Sequence, residues 1–185
     1  TDGPTIGTTV KSAIKSGDKY YRDSNGNGTV EPFENWELDT DARVKDLVGR
    51  MSYEMKLGLL AIGDRSAGSG VAGAENTSID GLLDEFEGTQ STMFGTFSVI
   101  STTKAIKEQG LRRFIFRGSP KPSFIAKWNN AMQQVAESTD WGVPVVIVSN
   151  SRNENAEMIF GMNDASGVFS TWPGTLGLAA AALGD

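Results

Sequence analysis

A nearly continuous run of β-branched residues, VPVVIV at residues 143–148, constrains the fold of this chain more than any other segment. Such a run is typical of a strand that is buried on both faces of a parallel sheet. An amphipathic helix precedes it over residues 123–138, with apolar side chains at helical spacing: Phe124, Ile125, Trp128, Met132 and Val135. Residues 93–100 are also strand-like. Strand, helix and strand in this order predict βα units, and therefore an α/β fold.

The rest of the chain is predicted from caps and spacing. Asp39 or Thr40 begins a helix that runs to Met51, and Ser52 begins a second, short helix. Gly, Ala and Ser dominate residues 63–73, and the polar character continues to residue 92, which indicates a long loop or lid. Residues 104–110 predict a short helix that ends on glycine. Residues 1–22 are polar and predict an extended arm.

Composition excludes several function classes. The chain has 185 residues, of which 38% are apolar and 22% charged, with a net charge of −6. This is ordinary for a soluble domain, and no cluster of Lys or Arg is dense enough to bind nucleic acid or an anionic membrane. No apolar run is long enough to span a membrane, and the N-terminus lacks signal-peptide character, as expected of an exported protein after processing.

The chain contains neither cysteine nor histidine. Disulfides, thiolate metal sites and the Ser-His-Asp triad are therefore excluded. Any chemistry in this chain depends on carboxylates, Lys, Arg, Tyr or a cation bound by oxygen.

The segment DSNGNGTVEPFE at residues 23–34 matches the pattern of an EF-hand calcium loop. Gly28 occupies the position of the sharp turn, and Val30 the apolar position that contacts a core. The predicted Ca²⁺ ligands are Asp23, Asn25, Asn27, the backbone carbonyl of Thr29, Glu31 (directly or through water) and Glu34.

Two of these ligands are Asn rather than Asp, which lowers the negative charge around the ion and indicates a structural site of modest affinity. Calcium sensors pair two such loops, whereas this chain has one. The alternative interpretation is a surface turn rich in Asn and Gly, whose acidic side chains are merely solvated.

Three segments together resemble glycoside hydrolase family 3, the β-glucosidases. Residues 43–56 (RVKDLVGRMSYEMK) are similar to the helix of the form RVxDLLxRMTLEEKxGQ that opens the barrel domain in this family. RFIFRG at residues 113–118, IAKWNN at 125–130 and GVPVVI at 142–147 resemble its "GIPVVI" strand and the preceding helix. FSTWP at 169–173 and LGLAA at 176–180 resemble its "FPxxLGLAA" segment.

The resemblance implies the N-terminal portion of a (β/α)₈ barrel of the TIM type, with three or four of its strands. The arm with the calcium loop would occupy residues 1–38, and the incomplete barrel domain residues 39–185. In this family the nucleophilic Asp and the sugar-binding Lys-His pair lie downstream of the "LGLAA" segment, and the acid/base comes from a later loop or domain. The resemblance therefore places no catalytic residue in this chain.

Candidate sugar-binding residues follow the strand at 143–148. The resemblance places the first sugar contact there, and Asn150 and Arg152 are the candidates, with Asp common in the family at the position of Asn150. A guanidinium can donate two hydrogen bonds to sugar hydroxyls or to a carboxylate. The alternative is a purely polar turn. Trp172 is expected to pack rather than to stack on a sugar, and Trp36, Trp128 and Trp141 to contact the core or the arm.

Three functional hypotheses remain. The first is the N-terminal part of a retaining, exported β-glucosidase that acts on β-linked glucosides or oligosaccharides, with the rest of the enzyme in the same or a separate chain. The second is a non-catalytic, calcium-dependent binding or adhesion module. The third is a degenerate or split glycosidase. A partial barrel also predicts that the apolar run at residues 176–183 lacks a partner surface.

Overall fold

The computed structural model describes residues 3–66, 77–78, 82–92, 95–117, 122–149 and 172–183. The helices of these residues are α1 (Thr40–Arg50), α2 (Tyr53–Leu60), α3 (Thr102–Lys107), α4 (Pro122–Glu137) and α5 (Thr175–Ala182). The strands are β1 (Ala13–Ser16), β2 (Lys19–Arg22), β3 (Ile62–Ser66), β4 (Thr77–Ser78), β5 (Leu83–Asp84), β6 (Gly88–Thr92), β7 (Gly95–Val99), β8 (Arg113–Arg117) and β9 (Val146–Ser149).

The chain forms two compact units that interleave along the sequence. The first unit comprises Thr1–Ile62, Thr103–Arg113 and Met132–Val146, and the second comprises Gly63–Thr102, Phe114–Ala131 and Ile147–Asp185. The domain boundary after residue 38 stays a prediction.

An antiparallel hairpin lies in the N-terminal arm of the first unit. Strands β1 and β2 pair with Ser16 opposite Lys19, so the turn between them has two residues. Gly17 supplies its positive φ of 60°, as such tight hairpin turns require. The sequence predicted an extended arm over residues 1–22, but it did not predict this hairpin within it. The alternation in AIKS and KYYR was too short to identify it.

Helices α1 and α2 confirm the predicted caps. The Asp39 side chain accepts a hydrogen bond from Ala42 N at 2.9 Å, and Ser52 Oγ accepts one from Met55 N at 3.2 Å. Each cap satisfies a backbone N–H that has no partner within the helix. The core of this unit contains Tyr21, Phe33, Met51, Ala105, Ile106, Met132, Val135, Ala136 and Val145.

A parallel three-stranded sheet in the order β3-β8-β9 confirms the α/β class. Helix α4 lies between β8 and β9 in sequence, whereas the strand predicted at residues 93–100 is β7 of an antiparallel hairpin and does not belong to this sheet. This arrangement is compatible with part of a TIM-type barrel. Most of β3 was expected to belong to the loop that begins at residue 63, because IGDRS contains one large apolar residue.

The prediction for residues 143–148 was partly wrong. Strand β9 begins at Val146, since Val145 exchanges two hydrogen bonds with the Gln133 side chain, at 2.8 and 2.9 Å, instead of pairing in a sheet. The strand is also not buried on both faces. Val146 and Val148 are 53% and 43% exposed, because no described element covers them.

The second unit also contains two antiparallel hairpins, β4-β5 and β6-β7. Strands β4, β5 and β6 lie in the region that was expected to be loop up to residue 92, and β7 lies in the segment 93–100 that was predicted to be a strand. Leu83, Phe114 and Trp128 are its fully buried large side chains, and Trp128 contacts Phe116 at 5.1 Å between ring centroids. Helix α5 leaves Leu176 and Leu183 exposed, as predicted for the apolar run at 176–183. Trp172 is also exposed, so the expectation that it packs was wrong. Among the described helices, none has the length and apolar character that crossing a bilayer requires.

Candidate functional site

The loop at residues 23–34 follows strand β2 directly and is shaped by its own side chains. The two carboxylate oxygens of Asp23 accept hydrogen bonds from the backbone N–H of Asn27 and of Gly28, each at 3.0 Å. Gly26 and Gly28 adopt positive φ values of 78° and 74°, which residues with a side chain rarely adopt. The chain therefore folds around the Asp23 carboxylate.

Glu34 closes the loop from its other end. Its Oε1 accepts a hydrogen bond from Ser24 N at 2.6 Å, and its Oε2 accepts one from Glu31 N at 3.1 Å. Asp23 and Glu34 are only 6% and 5% exposed. Burial raises the pKa of Glu34, and the nearby Glu31 carboxylate raises it further, although the two backbone N–H groups oppose both effects.

Glu31 is held by amides and by a cation. Asn27 Nδ2 and Asn25 Nδ2 donate to its carboxylate at 2.5 and 3.0 Å, and Arg50 Nη1 lies 3.6 Å from Oε1. Burial raises the pKa of Glu31, but hydrogen bonds and the charge of Arg50 outweigh it, so the pKa is lowered overall. Of the two neighbouring carboxyl groups, Glu31 therefore has the lower pKa.

The side chains and backbone of this loop offer carboxylate, amide and carbonyl oxygens, which are the ligands that Ca²⁺ prefers. Among the described residues, no three acidic side chains converge closely enough to hold a metal ion by themselves. A bound ion would therefore depend on the oxygens of Asn25, Asn27 and Thr29. The amide N–H groups that now face Glu31 would have to turn away.

Helix α1 and an aromatic pair anchor the loop within the first unit. Phe33 N donates to Asp46 Oδ2 at 3.1 Å, and Arg50 Nε donates to the same oxygen at 2.9 Å. Arg43 Nε donates to the Phe33 carbonyl at 3.2 Å. The Phe33 ring meets Trp141 edge to face, with centroids 5.8 Å apart. The loop is thus fixed to α1 by polar contacts and to Trp141, which follows α4, by an aromatic contact.

The predicted sugar-binding residues Asn150 and Arg152 lie outside the described residues. The described chain reaches Ser149, the last residue of β9, which is exposed at the carboxyl end of the parallel sheet. In parallel α/β folds the residues that follow such strand ends line the ligand site. The position assigned to the two candidates therefore agrees with the topology, but their contacts stay a prediction.

Sequence reasoning missed two features at the carboxyl end of β3. Arg65 is an arginine whose Nε is buried without a hydrogen-bond partner. Hairpin β6-β7 follows in the loop after β3, and its Phe97 is exposed. Polar and apolar residues alternate in β7 (GTFSV), and glycines begin both strands at positions 88 and 95, which indicates a hairpin. Only its second strand was predicted from the sequence.

None of the established family models matches the chain. Individual curated proteins do. The chain is 32% identical over 89% of its length to a "Periplasmic beta-glucosidase/beta-xylosidase" of Dickeya chrysanthemi and covers 22% of that protein. It is 29% identical over 86% of its length to a "Probable beta-glucosidase C" of Aspergillus oryzae, again covering 22%. It is 31% identical over 80% of its length to "Beta-glucosidase C" of Emericella nidulans, covering 20%. The chain thus spans about a fifth of the length of these relatives.

Proposed function

Because this chain belongs to glycoside hydrolase family 3 and spans about a fifth of the length of its relatives, we propose that it is the N-terminal part of a retaining β-glucosidase. Its substrates are β-linked glucosides or oligosaccharides. The observation that carries this proposal is the 32% identity over nearly the whole chain to a protein named as a β-glucosidase and β-xylosidase. The parallel sheet is consistent with it.

The chemistry is a double displacement on two carboxylates that lie outside this chain. A retaining enzyme needs a nucleophile and a general acid about 5–5.5 Å apart. In this proposal the segment 39–185 contributes barrel strands and a share of the sugar contacts, and the remainder of the enzyme, in the same or a separate chain, contributes the reacting groups. From the carboxyl end of β9, the Arg152 guanidinium donates hydrogen bonds to the sugar, and the side-chain oxygen of Asn150 accepts hydrogen bonds from sugar hydroxyls.

The protein is exported to the periplasm or secreted. The support is the word "Periplasmic" in the name of the Dickeya relative. Neither nucleic acid nor a membrane surface is a partner in this proposal, because the chain carries a net charge of −6.

The test is hydrolysis by the full natural polypeptide that contains this chain. We expect release of glucose from a β-linked glucose disaccharide, with the β-anomer formed first when the products are followed by NMR. Initial formation of the α-anomer would contradict the retaining mechanism. Absence of hydrolysis, combined with calcium-dependent binding of the same sugar, would support the binding-module alternative instead.

We also propose a structural Ca²⁺ site at residues 23–34. Its ligands are Asp23, Asn25, Asn27, the Thr29 carbonyl, Glu31 and Glu34. The buried, preformed positions of Asp23 and Glu34 support this proposal, since each is already held by two backbone N–H groups. Isothermal titration with Ca²⁺ tests it, with Mg²⁺ as the comparison ion. We expect one site that prefers Ca²⁺, and a flat titration would refute the proposal.

A further inference from the structure

The hairpin β6-β7 has two chemically different faces. The antiparallel register pairs Thr89 with Ser98 and Ser91 with Thr96, so one face carries hydroxyls. It pairs Gln90 with Phe97 on the opposite face. Side chains of directly paired residues are close enough to act on one ligand. The second face therefore presents an aromatic ring beside an amide.

The Phe97 ring is available on the surface of the hairpin. It is 51% exposed, although a ring of this size is commonly buried. It lies over Gly95, where an added Cβ would be 3.9 Å from Phe97 Cζ. A Cβ at this position would be in ordinary van der Waals contact with the ring. Gln90, its cross-strand partner, is half-buried.

The base of the hairpin is fixed to the carboxyl end of β3. Arg65, the penultimate residue of β3, donates from Nη2 to the carbonyl of Ile100 at 3.3 Å, immediately after β7. The Arg65 guanidinium also lies 5.6 Å from the centroid of the Phe114 ring in β8. Ser101 Oγ donates to Glu87 Oε1 at 2.9 Å, which joins the two ends of the hairpin. The hairpin is therefore attached at the end of the sheet where ligand sites of parallel α/β folds lie.

We propose that the Phe97–Gln90 face of this hairpin is a sugar subsite, which binds a glucose unit of the oligosaccharide beyond the bond that is cleaved. This inference rests on the proposed glycosidase function. Phe97 would stack on the apolar C–H face of a pyranose ring, and Gln90 would exchange hydrogen bonds with its hydroxyls, because its amide both donates and accepts. Arg65 is a positioning residue that holds the hairpin.

Two substrates separate this subsite from the cleavage site. A β-linked glucose trisaccharide has units that can occupy it, whereas β-glucosyl fluoride has a leaving group of one atom and cannot. We expect Phe97→Ala to raise KM for the trisaccharide about three- to tenfold, the range typical of one aromatic contact. For the fluoride, kcat and KM stay within about twofold of the wild type.

Matched variants control for structural damage. Phe97→Tyr keeps the ring and should retain the wild-type KM for the trisaccharide. Ser98→Ala changes the neighbouring residue on the opposite face of the same strand and should leave both substrates unaffected.

Each outcome of these kinetic measurements either supports or overturns the proposed subsite. A rise in KM confined to the trisaccharide and rescued by Tyr supports the subsite. Equal losses on both substrates, or no change on either, overturn it while the glycosidase function stands. A wild-type protein that hydrolyses neither substrate overturns the proposed function itself, and the subsite with it.

Discussion

The Glu137 carboxylate binds the backbone of Thr9, with Thr9 N 2.9 Å from Oε1 and 3.1 Å from Oε2, across 128 positions of sequence. The N–H groups of Val10 and Lys11 donate to Oε1 at 3.1 and 3.0 Å. Glu137 is 8% exposed and ends helix α4. Burial would raise its pKa, but the hydrogen bonds from Thr9, Lys11 and Val10 prevail and lower the pKa to about 2. One carboxylate therefore attaches the N-terminal arm to the first unit.

Replacing Glu137 by Gln should destabilise the protein. The amide keeps the size of the side chain but presents N–H donors to other N–H donors, which leaves buried groups without acceptors. We expect a loss of about 1–3 kcal/mol in the free energy of unfolding, measured by urea denaturation with tryptophan fluorescence. Glu108→Gln, at an exposed position, is the control and should lie within about 0.5 kcal/mol of the wild type.

The contribution of Glu137 should depend on pH in a defined direction. Its pKa is about 2 in the folded protein and 4.5 is the ordinary value, so the stabilisation is complete above pH 4.5 and is lost as the pH falls toward 2. The difference in unfolding free energy between the wild type and Glu137→Gln should therefore shrink from pH 6 to pH 3. A difference that stays constant over this range would show that charge does not contribute.

Gly58 and Gly49 give a matched pair of helix substitutions with opposite expected outcomes. A Cβ on Gly58 in α2 would lie 2.2 Å from the Gln109 carbonyl oxygen and 2.6 Å from the carbonyl carbon of Gly110, both backbone atoms. We expect Gly58→Ala to cost about 2–4 kcal/mol of unfolding free energy, because the two backbones must separate.

Gly49 in α1 has no atom within 4 Å of the added Cβ. Gly49→Ala should therefore stabilise the helix by about 0.5–1 kcal/mol. Thermal melts of both variants check this. Equal effects at the two positions would mean that α2 does not approach residues 109 and 110 as closely as described.

Local signals were sufficient to predict helices α1, α2 and α4, whereas α5 was not predicted as a helix. Asp39 and Ser52 are caps whose side chains accept the expected N–H groups, and α4 follows the spacing of Trp128 and Met132. Strand β3 could not be predicted, since Asp64 and Arg65 give it no apolar alternation, and its place in the sheet depends on pairing with β8, 50 residues away. Pairing between strands that are far apart in sequence cannot be predicted from either segment alone.

The candidate metal loop, in contrast to β3, could be predicted from a single segment of the sequence. All of its predicted ligands are sequence-local, so the pattern of residues 23–34 already contained the turn at Gly28 and the closing glutamate. The contacts that fix it, from Asp46 and Arg50 on α1, come from a separate element. Similarly, the attachment of the arm by Glu137 had no sequence signal, because a helix-terminal glutamate is ordinarily solvated.

Asn27→Asp should lower the stability of the protein in the absence of calcium and raise it in the presence of calcium. The substitution adds a carboxylate beside Glu31 and removes the Nδ2 donor that now binds it at 2.5 Å. Without Ca²⁺, repulsion should lower the melting temperature. With Ca²⁺ the extra charge should strengthen binding by about three- to tenfold, so that saturating Ca²⁺ at one concentration stabilises the variant by about 0.6–1.4 kcal/mol more than it stabilises the wild type.

Differential scanning calorimetry in EGTA and in excess Ca²⁺ checks both signs. Asp18→Asn, at an exposed position outside the loop, is the control and should leave the calcium-dependent increment unchanged. If Asn27→Asp lowers stability equally in both buffers, the solvated-turn interpretation is the correct one.

Arg152→Lys tests the predicted sugar contact. A lysine keeps the charge but cannot form the two parallel hydrogen bonds of a guanidinium, so a bound sugar would lose a charge-assisted contact. We expect kcat/KM for β-glucosyl fluoride to fall about 10- to 100-fold, with the melting temperature unchanged. Asn150→Asp introduces the residue that many family members have at this position and should retain activity. Wild-type kinetics for Arg152→Lys would mean that residues 150–155 are a polar turn and that the first sugar contact lies elsewhere.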